Sequence, residues 1–145
     1  MLTNTVNGGC HCGNITLEME LTRQSVTYNP RACDCDFCRK HKASYVSDQN
    51  GSLRIHVNDE GNLGKYRQGN NIAECILCRN CGVLVGVVYP NDGKLYAAVN
   101  SLAIDSGDRF GEEKSVSPKT LSTVEKTERW KKLWFANVSI TISGA

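Results

Sequence analysis

The chain has 145 residues, a formal charge of +2 and 40% hydrophobic residues. Residues 1–145 fit a single domain that can bury its own core without staples. No apolar run approaches the ~18 residues that cross a bilayer, and +2 falls far short of the basic surplus of a nucleic-acid binder.

The N-terminus, from Met1 to Asn7, carries neither a basic nor an apolar segment. No secretory leader is read there, and a cytoplasmic location is expected. Disulfides are rare in that compartment, so eight cysteines point to metal or redox chemistry. Gly8-Gly9 and Gly13-Asn14 read as turns around the first cysteine pair, Cys10-His11-Cys12. Ile15, Leu17, Met19 and Leu21 alternate with polar residues, the pattern of a half-buried strand. A second cysteine group follows, Cys33-Asp34-Cys35-Asp36-Phe37-Cys38. After a turn at Asn50-Gly51, Leu53, Ile55 and Val57 alternate again. Gly69-Asn70-Asn71 marks another turn, and Ala73 to Leu77 leads as a strand into Cys78-Arg79-Asn80-Cys81-Gly82, with Cys75 inside it. Val83–Tyr89 and Leu95–Val99 are strands joined by the hairpin signal Pro90-Asn91-Asp92-Gly93. The last third admits two readings. Ser122 and Glu125 form a capping box for a helix with Trp130, Leu133 and Trp134 on one face, or Leu121–Val124 is a last strand before a short helix from about Glu128 to Trp134. The expected fold is therefore mostly β: small antiparallel sheets with little helix, a short one near the C-terminus.

The cysteine spacing has a physical meaning. In an extended segment residues i and i+2 share a face, so Cys-x-Cys on a strand presents two sulfurs to one ion. Cys-x-x-Cys in a tight turn does the same, and a following glycine lets the turn close. Pairing the first and third groups gives Cys10, Cys12, Cys78 and Cys81, a four-sulfur zinc site. It closes a loop of about 65 residues and so removes entropy from the unfolded chain. A site with no open position reads as structural. Cys33, Cys35 and Cys38 then stand apart, and three protein ligands plus an open position is the pattern of a catalytic zinc. Two other readings stay open. One has the cysteines free or buried, and the other has Cys75 close the second site into another inert four-sulfur centre. Cys75 and Cys78 are an odd number of positions apart on a strand and face opposite sides. That lets Cys75 reach a different metal from Cys78, or sit in the core. His11, between two ligands, should point away from the metal, and His41 and His56 read as ordinary surface residues. Seven thiolates and two zinc ions take the formal +2 to −1, which further weakens a nucleic-acid partner.

Gly9-Cys10-His11-Cys12-Gly13, then Cys33 through Arg39-Lys40, then Cys78-Arg79-Asn80-Cys81-Gly82 together resemble the glutathione-dependent formaldehyde-activating enzyme family, whose domain is shared with centromere protein V. Order, spacing and flanking residues agree over about residues 8–105, and Trp130 is similar to a tryptophan often seen near the family's end. The resemblance implies a mostly β fold pinned by two zincs per chain. One is structural at Cys10, Cys12, Cys78 and Cys81, and one is open at Cys33, Cys35 and Cys38. It also implies a carbon–sulfur lyase that reversibly joins glutathione, or another small thiol, to formaldehyde as an S-hydroxymethyl adduct. The partners are then a small thiol and a small aldehyde. Arg39, Lys40, His41 and Lys42 follow the last ligand, either to attract an anionic substrate or as a solvated face. Asp34 and Asp36 depart from the family, which often has His and Ser there, and two carboxylates would repel an acidic thiol. A non-catalytic zinc module that binds a partner is the competing expectation. A redox or metal-buffering role for the second group is a third.

Overall fold

The computed structural model describes residues 4–67, 72–106 and 109–143, so the turn expected at Gly69-Asn70-Asn71 lies outside the described residues. In chain order the elements are β1 (Asn4–Gly9), β2 (Ile15–Leu21), β3 (Arg31–Cys33), α1 (Asp36–His41), β4 (Ser44–Val46), β5 (Ser52–Val57), β6 (Leu63–Arg67), β7 (Glu74–Cys78), β8 (Leu84–Asn91), β9 (Lys94–Asn100), β10 (Lys114–Val116), α2 (Thr123–Leu133) and β11 (Asn137–Ile142). The fold is mostly β, as expected. One sheet has four strands in the order β1-β2-β5-β11, and the other has seven in the order β10-β3-β4-β9-β8-β7-β6.

Pattern explains burial strand by strand. Ile15, Leu17, Met19 and Leu21 are all buried on β2, and Leu53, Ile55 and Val57 on β5, while their polar neighbours face out. Those inward faces make the core between the sheets, with Val6, Ile76, Val85, Val99 and Phe135. The continuous apolar run of β8 has a different cause. Val85 and Val88 face that core, whereas Leu84 and Val87 face a second cluster with Cys38, Tyr45, Cys75 and Trp134. The seven-stranded sheet is thus covered on both faces, and both faces of β8 must be apolar. Cys75 and Cys78 divide between the same two clusters, as their odd spacing requires.

Four expectations change. Gly8-Gly9 is no turn but the end of β1, and it needs glycine for another reason: a Cβ on Gly8 would lie 2.2 Å from the Ala103 carbonyl oxygen. The hairpin turn is the pair Asp92-Gly93, both with positive φ, while Pro90 and Asn91 remain in β8. Two pairings are parallel, β3 with β10 and β5 with β11, and join segments far apart in sequence. A short helix, α1, interrupts the strands where none was expected. At the C-terminus the capping-box reading holds. Ser122 Oγ accepts the Glu125 N–H, the Glu125 carboxylate accepts the Ser122 N–H, and the helix runs to Leu133. The alternative strand at Leu121–Val124 does not form. Phe135, fully buried, then exchanges two backbone hydrogen bonds with Ala97 (2.8 and 3.1 Å), which anchors the end of α2 to the seven-stranded sheet.

Candidate functional site

Seven of the cysteines gather into the two groups their spacing suggested. The sulfurs of Cys10, Cys12, Cys78 and Cys81 all lie within 4.8 Å of one another, and so do those of Cys33, Cys35 and Cys38. Both donor sets are able to hold a metal ion. The first fits a tetrahedral ion closely. Metal–sulfur bonds of about 2.3 Å give sulfur–sulfur edges of about 3.8 Å, and the Cys10–Cys12 and Cys12–Cys78 separations are 3.7 and 3.6 Å.

Local backbone, rather than a strand pleat, brings the first four sulfurs together. Cys10 lies just past β1 and Cys12 in the turn after it, while Cys78 ends β7 and Cys81 lies in the next turn. Each turn is closed by a glycine in left-handed backbone, Gly13 at φ 86° and Gly82 at φ 81°. The Ile15 and Cys81 N–H groups donate to the sulfurs of Cys10 and Cys78 at 3.2 and 3.4 Å. Burial pushes the Cys10 thiol up to about 11, whereas the backbone N–H groups of Cys12 and Val83 draw Cys81 down to about 6. Because β1 belongs to one sheet and β7 to the other, this group ties the sheets together. His11 is exposed, as expected of a residue between two ligands.

The second group is local. Cys33 ends β3, Cys35 caps α1 with its sulfur accepting the Cys38 N–H at 3.4 Å, and Cys38 is buried in α1. The Cys38 sulfur pairs with the Tyr45 hydroxyl at 3.3 Å. The Cys38 thiol, as hydrogen-bond partner, holds Cys33 down at about 6, and that pairing together with burial raises Cys38. Burial, and then the charge of Cys38, raises Tyr45. The three thiols open on a cavity of about 340 Å³ whose wall includes Tyr45, Cys75, Val87, Arg129, Trp130 and Trp134. That volume suits a small-molecule site. Cys75 shares the cavity but not the sulfur cluster among the described residues, and burial, then Cys35 and Cys33, pushes it up to about 12.

The basic run after Cys38 does not supply the cations near this site. Arg39, Lys40, His41 and Lys42 are exposed and line no part of the cavity, so that run is a solvated face. The cavity instead receives Arg31 from β3, Lys119 from the segment after β10, and Lys126 and Arg129 from α2. Of the two carboxylates, Asp36 is exposed in the first turn of α1. Asp34 accepts the Ser117 hydroxyl at 2.5 Å and has Lys119 at 3.9 Å, which offsets its charge. Sequence reasoning missed Tyr45 and the α2 wall. The available signal was that Lys126 and Arg129 fall on the same helical stripe as Trp130 and Trp134.

The chain is similar to known proteins. A family model described as "Glutathione-dependent formaldehyde-activating enzyme" matches residues 5–120. A Schizosaccharomyces pombe protein named as an uncharacterized lyase is 28% identical over 89 residues. That alignment covers 61% of each chain, so less than two thirds of the relative's length is spanned. The crystal structure of a Rhodobacter sphaeroides protein superposes with a TM-score of 0.53 at 27% identity, covering 72% of this chain and 98% of that one.

Proposed function

The chain belongs to the glutathione-dependent formaldehyde-activating enzyme family, and on that premise we propose that it is a zinc-dependent carbon–sulfur lyase joining a small thiol and formaldehyde. The carrying observation is three clustered thiols, with no fourth cysteine sulfur joining them among the described residues, at the wall of a cavity of about 340 Å³. The name of the S. pombe relative supports the lyase class.

In the forward direction a carbon–sulfur bond forms between the thiol sulfur and the aldehyde carbon, and the thiol proton ends on the former carbonyl oxygen. The reverse reaction returns it. Cys33, Cys35 and Cys38 would hold the ion at this site, and Cys10, Cys12, Cys78 and Cys81 a structural one. A zinc ion bound at the open site would supply Lewis acidity and would stabilise a thiolate near neutral pH. The protein's own part is positional. Trp130, Trp134 and Val87 exclude water beside the thiols, so that two small reactants meet in a fixed geometry. Tyr45, paired with the Cys38 sulfur, limits the charge on that sulfur and fixes its direction.

The test is exchange NMR on zinc-loaded protein mixed with formaldehyde and glutathione, repeated with other small thiols. Acceleration of adduct formation over the uncatalysed background is the expected result. No acceleration with any thiol removes the enzyme reading and leaves a non-catalytic zinc module.

A further inference from the structure

Part of the cavity wall comes from α2 and its C-cap Trp134, which lie beyond residue 120, where the family match ends. Positions 126, 129, 130, 133 and 134 share one helical face by their i, i+3, i+4 spacing. Such an inward stripe is ordinarily apolar. Here Lys126, Arg129, Trp130 and Trp134 all line the cavity, while Glu125 and Glu128 are exposed. Two cations thus occupy the face that apolar side chains usually fill.

Arg31 joins them from β3. Its guanidinium donates to the Ser47 hydroxyl at 2.7 Å, and that hydroxyl donates to the Leu133 carbonyl at 2.6 Å. The arginine is therefore fixed against α2 by neutral partners. The ion pairs among the described residues are those of Lys65 and Arg67 with Glu74 and of Lys119 with Asp34. None involves Arg31, Lys126 or Arg129, and among the described residues no carboxylate lines the cavity. Three like charges gathered in a partly desolvated cavity oppose one another, and a bound anion offsets that cost.

We propose that Arg31, Lys126 and Arg129 form an anion subsite for a carboxylate of the thiol substrate, so that α2 selects acidic thiols over neutral ones. The inference rests on the lyase reading for the thiol's being a substrate. Planar guanidiniums match the two oxygens of a carboxylate. Trp130 and Trp134, stacked at 4.8 Å, offer an apolar wall to the chain between that carboxylate and the sulfur.

Calorimetric titration of the zinc-loaded full chain separates these ideas. The probes are S-methylglutathione, whose sulfur is blocked, and its dimethyl ester. The acid is expected to bind at least about tenfold more tightly than the ester, since a charge-assisted contact contributes that much. Arg129→Gln and Lys126→Gln should each bring the acid down toward the ester, with zinc content and ester affinity unchanged, and Arg129→Lys should restore part of the difference. Equal binding of acid and ester, no measurable binding of the acid, or an equal loss for both in Arg129→Gln overturns the subsite. Arginine-dependent binding of the acid without any accelerated adduct formation sinks the lyase reading and leaves the subsite standing. Adduct formation accelerated equally for glutathione and its ester does the reverse.

Discussion

On the proposed reading, the two cysteine groups use the same side chain for opposite ends. Cys10, Cys12, Cys78 and Cys81 come from two turns, on strands of two sheets, and their sulfurs are met by one another and by backbone N–H groups. Cys33, Cys35 and Cys38 come from six consecutive positions, and one side of the cluster faces a cavity. The first arrangement constrains the chain globally, and its four sulfurs would leave no open position on an ion. The second constrains little beyond β3 and α1 but leaves room. On that reading, whether a thiol cluster serves structure or chemistry follows from how far apart its members lie in sequence and from what stands opposite.

The largest break in that contrast should come from the first group. Cys78→Ser is expected to lose one zinc and to destabilise the fold by on the order of 4 kcal/mol, a drop of about 10 °C or more in melting temperature. Calorimetry with metal analysis checks it, and an unchanged melting temperature would remove the structural role. Cys33→Ser should lose the other zinc and reduce adduct formation more than about a hundredfold, while the melting temperature moves by only about 5 °C or less. A collapse comparable to that of Cys78→Ser would erase the distinction between the groups.

Cys75→Ser sharpens the comparison. Two zincs per chain should remain, with a stability cost of about 1–2 kcal/mol for a buried hydroxyl; loss of one zinc would make the second group a closed four-sulfur centre. The smallest effect is expected from Tyr45→Phe. Removing the hydroxyl paired with Cys38 should lower activity by roughly tenfold with zinc content kept. A loss of zinc equal to that in Cys33→Ser would instead make Tyr45 part of the metal's hold.

Much of this contrast is legible in the sequence, because metal-ligand spacing is a local signal. The strands around Leu17 and Ile55 are legible for the same reason: each side chain's face follows from a period of two. Three things are not. The six residues of α1 are too few to display a helical period, so nothing in Asp36 to His41 announces a helix. The pairings of β3 with β10 and β5 with β11 join segments with no shared local cue. The cavity wall was not legible for a related reason. Arg39 to Lys42 are adjacent to Cys38 in sequence, but the turn of α1 directs them to solvent, whereas Arg129 is ninety-odd positions away and faces the thiols. Proximity along the chain predicts ligands of one ion well and the opposite wall of a pocket poorly.

The pairing of β11 with β5 also bears on the order of assembly. Arg54 and Ser139 meet across 85 positions, so during synthesis the outer edge of β5 is left without its partner until nearly the whole chain has emerged. An unpaired edge of that kind is a template for wrong pairing between nascent chains. Cys81 emerges more than fifty residues before that strand, and an ion captured by the first group would hold β1 and β7 together through the vulnerable interval. Zinc supplied during translation, rather than after it, should therefore raise the soluble yield, and equal yields from the two schedules would show that the ion arrives too late to guard that edge.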